Sequence, residues 1–411
     1  MITRATASPP LTNDDYMFSP KTTDVLGVPA LFLGEPSHKV TFVLPDVIRA
    51  KQDPAAKNMA GPAPTLPAFN ARASRLVTAY SDLANALFLE PDATDILQAA
   101  RTVAVTSTTG VPVVLTSDAT GLVVLPDTAQ FRVLSGDDNG PALVQQDLPS
   151  VGTGAVARLC SGDDGRFVHD GEGHLSFWRA DGAGATVGLT QLGYALALTG
   201  EVAAPPVVVK TSVPDEHVVF LFHNESNGRV TRVVLQLASS GGFAITGYTE
   251  FPMENSISGS AAVGLVQGEI VVAVPQYGGD LAIIPLQGDT LTEWSLSGDD
   301  LSGVIAVRPN STDTSDTFIL GDSGARLHAW RNGQSLPGFP ITFAAAERVR
   351  ETPAAVDWLG NGRLEIVVPQ RDLVVSVQLG TGSAHPRART WPEYQRDSLN
   401  SGCIHAQDVL P

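Results

Sequence analysis

Apolar residues in this chain come in short runs separated by polar and small residues. Val111–Leu115, Val207–Val209, Val218–Phe222, Ile270–Val274 and Leu364–Val368 are examples. Each run has the length of one strand, is rich in β-branched side chains and is bounded by turn formers. Helical spacing is nearly absent, so strands do not alternate with helices. The pattern predicts an all-β chain of many short strands. One segment departs from it. Between Ala71 and Glu90, residues Leu76, Val77, Tyr80, Leu83, Ala84, Leu87 and Phe88 fall on one face of a helix. Asn70 suits the N-cap and Pro91 the stop, and a shorter helix is predicted over Asp92–Ala100. The Pro- and Ala-rich stretch 52–67 reads as a loop. Residues 50–100 are therefore read as a helical insertion that caps one end of a β core, with a partner-docking helix as the alternative.

A repeat organises the remainder. Strands that follow a Gly- or Asp-containing turn place Leu122, Leu175, Val230, Leu281, Leu327 and Leu373 at equivalent positions, in steps of 53, 55, 51, 46 and 46 residues. Val40 lies one period plus the insertion before Leu122. The stretch 259–276 parallels 352–370, each giving a strand of small residues, a turn and a β-branched strand. A period of about 50 with about four short strands per unit is the mark of a propeller blade. A blade alone cannot bury its apolar surface, whereas radial packing covers it and leaves only short edges. The expectation is a seven-bladed β-propeller, with six or eight blades as alternatives. It forms a single propeller over residues 26–411, after an N-terminal extension at 1–25. The stretch Arg389–Gly402 follows the last anchor and is expected to close the ring by completing the first blade.

The residues carry a resemblance. Pro353–Val368 reads Pro-Ala-Ala-Val-Asp-Trp-Leu-Gly-Asn-Gly-Arg-Leu-Glu-Ile-Val-Val. It resembles the FG-GAP/VCBS-type propeller repeat, a relative of PQQ-like and WD40-like blades. Gly333–Pro340 resembles the Leu-Pro-Gly-Phe-Pro segment of such proteins. Trp391–Asp397 with Gly402 resembles their closing segment. The resemblance implies a propeller, an extracytoplasmic (periplasmic or secreted) location, and an acidic turn able to hold Ca²⁺ through oxygen ligands. This chain departs from that turn: between Asp357 and Asn361 stands Leu359, and two oxygen side chains fall short of a cage. Asp163-Asp164 with Asp170, and Asp137–Gly140, are further acidic turns that solvated Asp and Asn explain. The reading is no cofactor, with calcium as the alternative.

Composition narrows the partners. The 411 residues carry 26 Lys and Arg against 43 Asp and Glu, a net charge of −17, so the general surface repels a phosphate backbone and nucleic acid is excluded as a partner. At 43% hydrophobic and 17% charged the chain is not wholly disordered, and no apolar run is long enough for a spanning helix. Cys160 and Cys403 form either one long-range bridge or two buried thiols. The N-terminus has no apolar signal region, so either none is used or one precedes residue 1. A cytoplasmic location thus stays open.

Candidate chemistry is sparse. Gly152–Ala157 fits G-x-G-x-x-A, but without a strand before it and a helix after it the string reads as a strand-entry turn. His169 and His174 flank an acidic turn, and His217 and His223 share one strand; these are read as unrelated surface histidines. Trp178 and Trp330 occupy the same repeat position and are read as blade-to-blade packing, with ring stacking on a sugar or quinone as the alternative. The sequons at Asn224 and Asn310 are read as chance. No residue is assigned to a catalytic, cofactor or metal site. The expected function is a non-catalytic scaffold binding another protein or a surface component, or serving as a subunit of a larger assembly. The alternative is a propeller enzyme or carbohydrate-binding protein with its site at the channel mouth.

Overall fold

In a blade packed on both sides, a middle strand has no solvent side, so its residues are apolar continuously rather than alternately. The second strands show this: every residue of Thr317–Asp322 is buried, as are seven of the nine in Glu216–Asn224. The structure is a computed structural model. It describes the strands throughout and, from residue 154 on, all but short connections (161–164, 182–187, 344–347, 358–361, 384–389 and 397–400 among them) with most side chains. Before residue 154, side chains are described only at positions between 111 and 133.

The chain is an all-β propeller of eight sheets. Blade 1 runs Lys21–Val25, Val28–Glu35, Lys39–Val43 and Ala55–Asn58. Blade 2 runs Ala68–Asn70, Arg75–Ala79, Asn85–Leu89 and Ala99–Ala104. Blade 3 follows with Val113–Val114, Val123–Pro126, Gln130–Leu134 and Leu143–Asp147. Blade 4 has Ala155–Arg158, Arg166–Gly171, His174–Asp181 and Gly188–Ala197. Blade 5 has Glu201–Lys210, Glu216–Asn224, Gly228–Leu237 and Phe243–Pro252. Blade 6 has Ala262–Val266, Glu269–Pro275, Asp280–Pro285 and Thr292–Ser295. Blade 7 is built on Leu301–Val307, Thr317–Asp322 and Arg326–Arg331, with the short strands Gln334–Ser335 and Ile341–Thr342 outside. Blade 8 has Ala354–Val356, Arg363–Pro369 and Leu373–Ser383. Its fourth strand is Ile2–Thr6, antiparallel to Leu373–Val377.

The first strands of blades 2, 3, 4 and 5 touch in succession, as do those of blades 6, 7, 8 and 1. A continuous core of Val209, Phe220, Phe251, Ile257, Val263 and Val272 joins blade 5 to blade 6. The first strand of each blade is thus the axial one, and the last blade meets the first.

Three expectations are corrected. The helix predicted over Ala71–Glu90 is not found: the fourth strand of blade 1 and most of blade 2 lie within 50–100, and most of the shorter helix predicted over Asp92–Ala100 lies outside the described residues. Arg75–Ala79 and Asn85–Leu89 pair antiparallel, with Leu76 opposite Leu89 and Val77 opposite Phe88. A hairpin brings i and i+11 side by side just as three helical turns do, so the spacing did not separate the two. The blade count follows: eight, the stated alternative to seven. Leu122 precedes the second strand of blade 3, whereas the other anchors belong to third strands. With Ala86 and Phe131 as the third-strand residues, Val40 to Leu373 becomes eight positions spaced 46, 45, 44, 55, 51, 46 and 46 apart. Finally, the N-terminal extension does not stand outside the propeller: Ile2–Thr6 completes blade 8, and Arg389–Gly402 does not complete blade 1.

Axial packing is tight where inner strands begin. A Cβ on Gly259 would stand 2.6 Å from the Gly303 nitrogen and 2.8 Å from the Ser302 carbonyl carbon. Gly259→Ala therefore has to push two main chains apart, and should cost about 1–3 kcal/mol in chemical denaturation, the usual penalty for overpacking.

Candidate functional site

The axial edge of an inner strand presents main-chain N–H and C=O groups that no strand of its own blade pairs. The C-terminal segment supplies partners for them. Ala355 of blade 8 donates to Pro392 O at 2.7 Å. Ala306 of blade 7 and Trp391 exchange two bonds at 2.9 Å. Arg158 of blade 4 donates to Ser401 O at 2.8 Å. Cys403–His405 then forms a short strand parallel to Val208–Lys210 of blade 5. A single helical turn, Ala406–Val409, follows and packs against blade 6. The segment expected to complete a blade instead runs along the channel.

It is anchored there by burial, covalency and charge. Trp391, Ile404 and Val409 are at most 1% exposed and belong to the core of blades 5 to 7. Cys403 is bridged to Cys160, just past the inner strand of blade 4, across 243 residues of sequence. Gly402, at φ +60°, leaves no room for a Cβ beside Pro206 O at 2.9 Å. Arg308, fully buried, pairs with Asp316 at 2.8 Å and donates to Val409 O. Asp316 also accepts from the Leu265 N–H at 2.9 Å. Burial pushes the Asp316 carboxyl up, and Arg308 pulls against that.

A second feature recurs at the end of the second strand, where Asp170, Asn224, Gln276, Asp322 and Gln370 fall at equivalent positions in blades 4 to 8. Each is a polar group at the rim of an apolar sandwich, and four make bonds that tie the rim together. Asp170 holds His223 of the next blade at 3.1 Å, both fully buried. Asn224 bonds both the N–H and the carbonyl of Ile257 at the entry to blade 6. Gln276 accepts from Asn255 N–H and donates to Glu293. Asp322 accepts from the Arg326 N–H and Nε and from His328 at 2.7 Å. Burial would raise the Asp322 carboxyl, but His328 and Arg326 hold it below the usual range. For Asp170 burial wins over His223, and the carboxyl is raised.

The surface-histidine expectation is corrected here. His169, His217, His223 and His328 are all buried, because second and third strands have blades on both faces. Burial lowers His169 to about 4, and burial with the Lys210 charge lowers His217 to about 4. His174 is exposed. His38 and His385 lie outside the described residues. The tryptophans pack between blades: Trp178 meets Phe131 of blade 3 edge-on at 5.0 Å, and Trp330 stacks with Trp294 of blade 6 at 6.5 Å. Gly154 sits against the His169 ring just before the inner strand Ala155–Arg158, and Gly152 and Thr153 lie outside the described residues. Of the acidic turns, Asp357 accepts from the Gly362 N–H at 3.0 Å; Asn361, Asp163, Asp164 and Asp137–Gly140 lie outside the described residues.

The third feature is a cleft on the face that carries the turns between second and third strands. It holds about 210 Å³ between the connections of blades 6, 7 and 8. Tyr277 and Ser323 come from two such turns, Asp300 and Leu301 from the link between blades 6 and 7, and Arg348 to Arg350 from the link between blades 7 and 8. Gly321 explains how the last link sits so close: a Cβ there would lie 2.1 Å from Val349 Cγ1. The Val349 N–H donates to Asp322 O at 3.1 Å, which leaves Arg348 and Arg350 exposed on the rim. Asp300 Oδ1 accepts from Gly278 N–H at 3.3 Å, and its carbonyl accepts from Ser323 N–H at 2.9 Å. The sequence signal for this cleft is weak, since its lining comes from five connections that no repeat marks.

The sequence matches no protein-family model and no curated protein sequence. Solved structures resemble it in fold. Sqt1 from Saccharomyces cerevisiae aligns with a TM-score of 0.64 at 10% identity, covering 91% of this chain and 99% of its own. BamB from Moraxella catarrhalis aligns at 0.59 and 14% identity, covering 93% and 99%. The C-terminal WD40 domain of Sif2 aligns at 0.57 and 11% identity, covering 88% and 96%. These likenesses identify a propeller-type repeat protein. Among the described residues no helix is long and apolar enough to cross a membrane.

Two measurements check the site. Replacing both Cys160 and Cys403 by Ser should lower the unfolding free energy by about 2–4 kcal/mol while leaving the far-UV spectrum unchanged, because the segment keeps its main-chain bonds. His169 and His217 stay neutral in the fold to about pH 4 but titrate near 6.5 when unfolded. Their contribution is complete above pH 6.5 and is lost as the pH falls toward 4, by about 3 kcal/mol for a fully buried ring. Denaturation midpoints between pH 7 and 4.5 should fall less steeply for His169→Phe than for the wild type.

Proposed function

We propose that this protein is a non-catalytic propeller scaffold that binds another protein through the face carrying the turns between second and third strands. The observation that carries this reading is the course of residues 390–410. They occupy the axial edges of blades 4, 5, 7 and 8 and turn the channel wall into protein core, so recognition is left to the faces and the outer rim. The cleft on that face is of a size that suits it to partner side chains: small-molecule sites run to about 300–1,000 Å³, and this one holds about 210 Å³. Rigid blades presenting loops are a common basis for recognition, and a fold of this kind hosts many functions, so the face and not the fold carries the argument.

The same reading places the protein in an oxidising, extracytoplasmic compartment. A disulfide between Cys160 and Cys403 supports it, since such bridges persist where thiols are not kept reduced. We read the repeats at 353–368 and the channel segment at 391–402 as an FG-GAP/VCBS-type propeller. The net charge of −17 favours partners with neutral or basic surfaces.

The test is capture by the intact, oxidised chain from an extracytoplasmic extract of its source, followed by mass identification and reconstitution with the purified candidate. The expected result is a stoichiometric complex that Tyr277→Ala weakens at least tenfold and a substitution on the outer strand Phe243–Pro252 leaves unchanged. A turnover activity abolished by substitutions beside residues 390–410 would overturn the reading.

A further inference from the structure

The lining of the cleft defines the chemistry of what it holds. Its floor is apolar: Leu301 is 3% exposed and Val349 1%. Its lining also carries charged groups. Arg348 and Arg350 stand on the blade 7 to 8 link, with exposed side chains two residues apart and the buried Val349 between them fixing both. Asp300, Ser258 and Ser323 line the same cleft. Tyr277, 47% exposed, forms a further wall. The walls are fixed by the surrounding bonds: Asp299 and Asp322 hold Arg326, and the Asp322 carbonyl holds the Val349 N–H.

The Arg348 guanidinium over an apolar floor matches a carboxylate next to an apolar side chain. Guanidinium and carboxylate pair through parallel, charge-assisted bonds, which add direction as well as strength. Asp300 and the serine hydroxyls can accept the main-chain N–H groups of an extended segment, while Tyr277 packs on its side chain. The volume admits one or two side chains and no folded ligand. Arginine and tyrosine are also the residues that most often anchor interfaces.

We infer that the cleft between blades 6, 7 and 8 binds a partner segment in which an internal Asp or Glu neighbours a large apolar residue. The inference rests on the scaffold reading and names what its face recognises. Arg348 takes the carboxylate, and the floor of Leu301 and Val349 takes the apolar neighbour. The acidic anchor is local: it can sit within a partner whose wider surface is neutral or basic.

The probe is a fluorescein-labelled short peptide array, acetylated and amidated at its ends and neutral apart from one position. That position carries Glu, Gln or Lys next to Leu or Phe, and binding to the intact oxidised chain is read by anisotropy at physiological salt. The Glu peptides should bind at least tenfold more tightly than the Gln peptides. Arg348→Glu should remove that preference and raise the affinity of the Lys peptides. Arg348→Gln should give an intermediate loss, with an unchanged melting temperature showing the ring intact. Equal binding of Glu and Lys peptides, no binding by any member, or a preference untouched by Arg348→Glu overturns the inference. So does binding that appears only when the peptide ends in a free carboxylate, because the anchor would then be a chain terminus. A reconstituted complex insensitive to Arg348→Glu would leave the scaffold reading standing and sink this assignment alone.

Discussion

A sheet that is apolar on both faces is stable in water only between two others. That constraint makes this molecule a ring. Second strands such as Thr317–Asp322 and Glu216–Asn224 have no solvent side, so each blade depends on its neighbours and the last must find the first. Main-chain pairing secures the join: Ile2–Thr6 adds the outer strand to blade 8, while the next strand, Lys21–Val25, opens blade 1 at the axis. The chain ends are therefore stitched across the seam, and separating blade 8 from blade 1 would break a ladder as well as an apolar contact.

Closing the ring leaves a second problem at its centre, where the inner strands face one another with unpaired main chain. Residues 390–410 answer it for four of the eight blades, and core side chains, a disulfide and the buried Arg308–Asp316 pair hold them in place. A buried ion pair is a poor source of net stability, but losing one partner is expensive. Here Arg308 also accepts the burden of orienting the last helical turn, through the carbonyl of Val409. Among the described residues, these contacts join the C-terminal segment to the axial side of blades 4, 5, 7 and 8. On one face, the glycine at 321 lets the blade 7 to 8 link settle into the cleft wall.

Much of this was legible along the chain. The roughly 50-residue period, the strand-sized apolar runs, and the packing role of Trp178 and Trp330 follow from side-chain type and spacing. The misplaced blade shows where that reading stops. Leu76, Val77, Leu87 and Phe88 satisfy a helix and a hairpin equally well, and only pairing with Ala68–Asn70 and Ala99–Ala104 decides between them. The histidines fail for a related reason. A polar residue among apolar ones looks like a solvent-facing position, yet His217 and His223 are covered by the neighbouring blade. The cleft left only a weak trace in the sequence because Tyr277, Asp300, Ser323 and Arg348 come together only when three blades stand side by side.

By itself the sequence determined the secondary structure of most segments and the repeat that makes them blades, because strand propensity and apolar runs are local properties. It also held the two cysteines and the Trp391–Gly402 segment without revealing their use. The tertiary structure decided the number of blades, which terminus closes the ring and which enters the channel, and where charged side chains meet. Those are long-range outcomes: they depend on which free edge and which apolar face are left uncovered once every other blade has been placed.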